Sequence, residues 1–226
     1  MKNPWVIICL ITIILFGGAF WYSKVVDNKN NEGVEIVQNI KGNVEARVRL
    51  VEYSDFQCPS CASFQPIMDQ IFEEFSNDVN LEYKHFPLYI HQYARQASVA
   101  AEAAGQQGKF FEFHDMLFER QVEWSSARTP DTLFVQYASE LELDIPKFKR
   151  HMKSSVLRDK VNTEFEEGRQ AGVTGTPTLF LNGEIMKYDS YQSLIEQVAF
   201  AVNPESKATS GSEETKTGVS DVKFGL

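Results

Sequence analysis

The spacing of apolar residues changes along this chain, and each change marks a different kind of element. From Asn3 to Ser23 there is no charge, and Trp5 to Phe16 is almost wholly apolar. Lys24 to Glu32 is polar and reads as a stalk; Val34 to Val37 reads as a short edge strand. Ala46, Val48, Leu50 and Glu52 then alternate with Arg47, Arg49, Val51 and Tyr53, the period of two that marks a strand. From Pro59 to Phe75 the period becomes helical, with Cys61, Phe64, Met68, Ile71, Phe72 and Phe75 on one stripe and an internal Pro66 that predicts a kink. Val79 to Phe86 reads as a second strand, stopped by Pro87. A helical crossover between two strands predicts a parallel, right-handed unit.

From about Gln92 to Gln170 the period stays near 3.6. The pattern predicts helices near Tyr93–Gly105, Lys109–Arg120, Pro130–Leu141, Pro146–Lys153 and Val156–Ala171, with a loop over Glu123–Arg128. Thr129-Pro130 and Asp144-Ile145-Pro146 are start signals; Gly105, Gly108 and Gly172 are stop signals. Strands Thr178–Leu181 and Glu184–Lys187 flank Asn182-Gly183, a strong two-residue hairpin signal. Ser190 is placed to cap a last helix ending near Val202. The fold class is therefore α/β: a sheet built from the outer parts of residues 46–202, with an all-helical insertion over about 92–170.

The ends stand apart. Residues 3–23 at about 1.5 Å rise span roughly 30 Å, the thickness of a bilayer core. Trp5 at one end and Trp21-Tyr22 at the other resemble an aromatic belt, so residues 1–23 read as a transmembrane anchor. Gly17 and Ala19 keep a cleaved signal peptide open as the rival. Either reading places the rest of the chain outside the cytoplasm: residues 24–45 as stalk and edge strand, 46–202 as the working domain. Residues 203–226, rich in Ser, Thr, Gly, Lys and Glu, read as a disordered tail.

A net charge of −9 argues against nucleic-acid binding, which needs a basic footprint. Three cysteines are present. Cys9 sits in the apolar segment, where a small apolar role is the plain reading, and Ile8 before it does not fit a lipoprotein site. Cys58 and Cys61 remain as one pair, in Cys58-Pro59-Ser60-Cys61 at a strand-to-helix junction. Their loop is too short to stabilise much by chain entropy, so the pair is there to react. Structural zinc wants four ligands; no second cysteine pair exists, and His85, His91, His114 and His151 show no ligand spacing. No metal and no other cofactor is expected beyond a Cys58–Cys61 disulfide.

These motifs resemble the DsbA-like thiol:disulfide oxidoreductases, especially their membrane-anchored members. Glu52 to Cys61 is similar to the family's first strand and active site. Ala100-Ala101-Glu102-Ala103-Ala104 with Gln107 to Asp115 is similar to its helical insertion. Gly172-Val173-Thr174-Gly175-Thr176-Pro177-Thr178, closing with Asn182-Gly183, is similar to its cis-proline loop and hairpin. The resemblance implies a thioredoxin-like fold and a cis Pro177 facing the disulfide, with the Thr176 backbone free to pair with a substrate peptide and Gly175 supplying turn freedom. It departs at Ser60, where the best-known site carries His; a hydroxyl stabilises a thiolate less than an imidazole does.

Position assigns the remaining roles. Cys58 at a helix N-terminus favours a thiolate and is the sulfur that substrate thiols attack. Cys61, one turn in, is the buried resolving thiol. Glu52 falls on the inward face with Val48 and Leu50, where a buried carboxyl with raised pKa could exchange a proton with Cys61. Asp55 reads as solvated or capping; His85 and His114 read as packed residues. The expected function is an exported, membrane-tethered, single-pass protein-thiol oxidase on the periplasmic or extracellular face. Its partners would be exported proteins with cysteine thiols and, by resemblance alone, a quinone-linked membrane partner. A disulfide reductase or isomerase is the alternative, and a non-redox binding module or chaperone a more distant one.

Overall fold

A computed structural model describes residues 4–205. The sheet has five strands in the order β1-β3-β2-β4-β5: β1 Asn39–Gly42, β2 Val48–Ser54, β3 Val79–His85, β4 Thr178–Leu181 and β5 Glu184–Ile185. The β2–β3 pair is parallel, joined by helix α2 (Pro59–Phe75), and β1, β4 and β5 add antiparallel. The expected strand-helix-strand unit is therefore present. Val48 and Leu50 pack against Phe64, Met68 and Ile71 of α2 and against Leu194 and Val198 of α9 (Tyr191–Val202). Val51 and Tyr53, one residue out of phase, face Phe86, Phe165 and Phe180 on the other side. This is the alternation that both covered faces of a central strand demand.

Between β3 and β4 run α3 Ala94–Gly105, α4 Phe110–Glu119, α5 Gln121–Ser125, α6 Asp131–Glu140, α7 Ile145–His151 and α8 Ser155–Gln170. Their shared core is aromatic: Trp124, Phe113, Phe134, Tyr137 and Phe148 are all fully buried. The segment expected as loop Glu123–Arg128 holds most of α5, because Trp124 turns inward and donates its indole N–H to the Leu117 carbonyl at 2.7 Å. Helix α2 runs unbroken through Pro66. Asn182 and Gly183 both have positive φ, as the two-residue hairpin requires. Ser190 caps α9 in a reciprocal pair with Ser193.

The N-terminal part differs most from expectation. Helix α1 (Pro4–Asn30) extends beyond the uncharged segment and takes in Lys24, Asp27 and Lys29. Among the described residues, no helix is long and apolar enough to cross a membrane, so the expected anchor over residues 3–23 is not shown. The segment read as a stalk is docked on the helical layer. Asn31 bonds Ser154 and Ser155, Glu35 exchanges two backbone bonds with the Gln106 amide, and Lys160 donates to the Val37 carbonyl. The edge strand forms at Asn39–Gly42 instead of Val34–Val37, because the backbone of Glu35 and Val37 is engaged by side chains rather than by a neighbouring strand. Gly42, with φ of 93°, ends it where a Cβ would meet the Val79 carbonyl oxygen at 2.6 Å. The tail expected over 203–226 lies outside the described residues from 206 onward.

Candidate active site

β2 ends at Ser54, and the chain turns through Asp55-Phe56-Gln57 into α2. Cys58 is the N-cap of that helix, in extended conformation, with Pro59 following at the first helical position. Proline fits there because the first N–H groups of a helix have no partner inside it. Cys58 is 7% exposed and Cys61 0%, and both are free thiols. Facing them, the Thr176–Pro177 peptide bond is cis, and the Cys58 thiol donates to the Thr176 carbonyl at 3.5 Å.

The two sulfurs have opposite surroundings. A hydrogen bond from the Cys61 thiol does most to pull the Cys58 pKa down from 9.0 to about 5, against the effect of burial; the Thr176 side chain and the N–H groups of Cys61 and Ser60 add to it. Ser60 itself is exposed and contributes through its backbone. Cys61 is driven far the other way, first by burial and then by its bond to Cys58. One cysteine is poised as thiolate, the other as thiol.

Beneath them, Glu52 is fully buried, and neither carboxyl oxygen has a hydrogen-bond partner. Burial raises its pKa from 4.5 to about 7, partly offset by the Ser54 hydroxyl. Parallel register places Tyr83 beside Glu52 and His85 beside Ser54. The Ser54 hydroxyl and the Tyr83 phenol are likewise buried without partners. The Ser54 hydroxyl lies near enough to both Glu52 and Cys61 to lower the pKa of each, while bonded to neither.

Of the expected site residues, Glu52, Cys58, Pro59, Ser60, Cys61, Thr176 and Pro177 stand at this one end of the sheet. Gly175 adjoins them, but its expected role needs correction. Its φ is not positive and a Cβ there would meet open space; only its carbonyl is engaged, by the Thr178 hydroxyl at 2.8 Å. His85 and His114 are buried and bonded, to Glu102 and Asp115, as packed residues should be.

Sequence reasoning missed three contributors. Asp55 is not solvated but fully buried, accepting from Gln57, Leu88 and His91. Gln121 donates both protons of its amide, to the Phe56 carbonyl at 2.8 Å and the Cys58 carbonyl at 2.9 Å. No local signal marks Gln121. Tyr83 was within reach, since the period of two on β3 puts it on one face, but its neighbour depended on a register that only the pairing fixes. Among the described residues no group of three or more His, Cys, Asp or Glu could hold a metal. A cavity of about 670 Å³ lies among α3, α6, α7 and α8, and none of its lining residues belongs to the cysteine site.

A family model described as Thioredoxin matches residues 35–197. The chain belongs to the thioredoxin family. Solved structures sharing its fold include alpha-DsbA1 of Wolbachia pipientis, with a TM-score of 0.66 and 18% identity over 78% of this chain and 96% of that one. BdbD of Bacillus subtilis in its oxidised form gives 0.63 and 23%, over 76% and 94%. A thioredoxin-like oxidoreductase of Silicibacter pomeroyi gives 0.62 and 24%, over 76% and 94%. The thioredoxin-like fold that the DsbA-like resemblance implied is borne out. Sequence relatives carry another name. The Na(+)/H(+) antiporter NhaA 1 of Salinispora arenicola is 37% identical over 165 residues, 73% of this chain and 24% of that protein. NhaA 3 of Salinispora tropica is 36% identical over 64% of this chain and 22% of that protein. The chain thus spans about a quarter of the length of these relatives.

Proposed function

We propose that this protein is an exported oxidase of protein thiols, working through the Cys58–Cys61 pair. The observation that carries the reading is the split between the two sulfurs: Cys58 with its pKa pulled down to about 5 at the mouth of α2, Cys61 buried and pushed up. A thiolate stabilised at Cys58 favours the reduced pair, and that makes the disulfide oxidising.

The reaction begins with the pair as a disulfide. A substrate thiolate attacks Cys58 Sγ, the Cys58–Cys61 bond breaks, and Cys61 leaves with the electron pair. We assign Glu52, buried with its pKa raised to about 7, as the group that gives that sulfur a proton. The substrate lies along the Thr176 backbone, at cis Pro177. A second substrate thiolate then attacks the substrate sulfur of the mixed disulfide, and Cys58 departs as the stable thiolate. The substrate gains a disulfide and the protein is left as the dithiol. Reoxidation needs an electron acceptor, and the DsbA-like resemblance supplies a quinone-linked membrane partner as candidate. Export, with residues 1–23 as anchor or leader and the working domain on the periplasmic or extracellular face, rests on the apolar N-terminal pattern. No metal or added cofactor takes part.

Equilibrating the full chain with glutathione buffers tests the direction of flow. A potential above about −200 mV, with the reduced form the more stable, supports an oxidase. A value near −250 mV or below turns the reading to a reductase or isomerase fed by a membrane donor. Failure to form a Cys58–Cys61 disulfide sinks both and leaves a binding module.

A further inference from the structure

The cavity of about 670 Å³ among α3, α6, α7 and α8 has walls of two kinds. One part of its lining is aliphatic: Val99, Val135, Met152 and Val161. Val99 and Val161 are buried in the helical core, and Val135 and Met152 pack half-buried against it. Among the described residues no aromatic ring lines the cavity. Ligand sites of this size combine such apolar walls with a few polar groups at fixed points.

The other part is cationic. Arg95, Lys149, Lys153 and Arg158 all line the cavity, in a chain whose net charge is −9. Arg95 is already committed: it bonds the Asn162 side chain and lies over the Phe165 ring at 5.4 Å. Arg158 donates to the Lys153 carbonyl at 3.1 Å, which draws the guanidinium back to the end of α7. Among the described residues, Lys149, Lys153 and Arg158 make no ion pair, although all three are exposed. Asp131 is the one acid in the lining, and its carboxylate is taken by the Gln96 side-chain amide. Like charges gathered without counter-charges repel, and a bound anion would relieve that repulsion.

The two parts together select the ligand. A bare anion would leave the aliphatic wall unused. A nucleobase would find no ring to stack on, and a sugar few partners along Val99, Val135, Met152 and Val161. We infer that this cavity binds an aliphatic anion, a saturated carbon chain ending in one carboxylate or phosphate. The chain lies on the four aliphatic side chains and the head among Lys149, Lys153 and Arg158. Such a molecule comes either free, as a fatty acid, or from an anionic membrane lipid. The site shares no residue with the cysteine pair, so the inference stands or falls apart from the oxidase reading.

The test uses the full chain in phosphatidylcholine nanodiscs, with ¹³C in its methionine methyl groups. Met152 lies in the cavity wall, whereas Met68 and Met186 belong to the other core and serve as internal references. Sodium octanoate, below its micelle concentration, should shift the Met152 signal saturably and leave Met68 and Met186 in place. Octan-1-ol, which lacks the charge, and inorganic phosphate, which lacks the chain, should each bind at least tenfold more weakly. The Lys149→Gln, Lys153→Gln double variant should weaken octanoate roughly tenfold, the combined effect of two partly exposed charge contacts. Thr132→Trp, at an exposed position of the lining, should block the cavity without disturbing the core. Both variants should exchange with glutathione at Cys58 as the parent does. Adding phosphatidylglycerol to the discs separates the sources. A lipid occupant moves the Met152 signal before octanoate is added; a free fatty acid does not need it. A Met152 signal that never moves overturns the inference. So does octan-1-ol binding as tightly as octanoate, or a double lysine variant that binds octanoate as the parent does.

Discussion

Two buried polar groups share one face of the sheet and are treated in opposite ways. At the outer end, Glu102 of α3 is served on one oxygen by Asn39 at 2.6 Å, Lys160 at 2.7 Å and His85 at 2.9 Å. Burial pushes its pKa up, but His85 and Lys160 outweigh that and bring it below the usual carboxylate value. Under α2, Glu52 is as deeply buried with no partner at all, and its pKa is raised to about 7. A charge that is paired in the interior is held fixed and serves structure; one left unpaired sits near its midpoint at neutral pH and can move a proton. The contrast separates a cross-brace from the carboxyl proposed as proton donor, within a few strand positions.

The largest effect should come from breaking the brace. Lys160→Met takes the lysine charge away from buried Glu102, leaving Asn39 and His85 on that oxygen, and should cost about 3 kcal/mol of stability in denaturant unfolding, while the Cys58 thiolate titration stays where it was. A loss under ~1 kcal/mol would mean that the two groups are not so different.

Glu52 should behave in the reverse sense. Its carboxyl binds a proton more tightly folded than unfolded, so its contribution weakens stability as pH rises from 4.5 to about 7, by about 3 kcal/mol in all. Glu52→Gln should lose that slope, and should slow release of Cys61 on the order of 10²-fold in rapid-mixing experiments. An unchanged pH profile of stability would place the carboxyl in contact with water.

Next in size is the coupling between the sulfurs. Cys61→Ala removes the main cause of the low Cys58 pKa, and the thiolate absorbance should then titrate roughly one to two pH units higher. A midpoint that does not move would assign the effect to the helix terminus alone. The smallest effect belongs to the surface: Arg169→Ala opens the exposed pair with Glu166 and should change stability by less than about 0.5 kcal/mol.

Much of this was legible in the sequence, for reasons particular residues make plain. Alternation from Val48 to Tyr53 gave the face of Glu52, and the stripe from Cys61 to Phe72 gave the burial of the second cysteine, because both are local periodicities. Asn182-Gly183 encoded its own hairpin. The partners of Asp55 come from a loop more than thirty residues downstream, and its burial could not be read from neighbours in the chain. Tyr83 needed the register of a parallel pair. Val34–Val37 reads as a short edge strand, yet the backbone of Glu35 and Val37 finds Gln106 and Lys160, side chains that no local pattern connects to it.

Gln121 has one more implication. Its amide reaches from the helical layer to two carbonyls of the turn that presents Cys58, so the reactive cassette is spliced from distant stretches of chain. A shortened protein with β3 joined straight to β4 would keep Cys58, Cys61 and cis Pro177 in their order. It would leave those carbonyls unanswered and release the first turn of α2. The helical block is thus part of the grip on the cysteine, and the site is not portable as a motif.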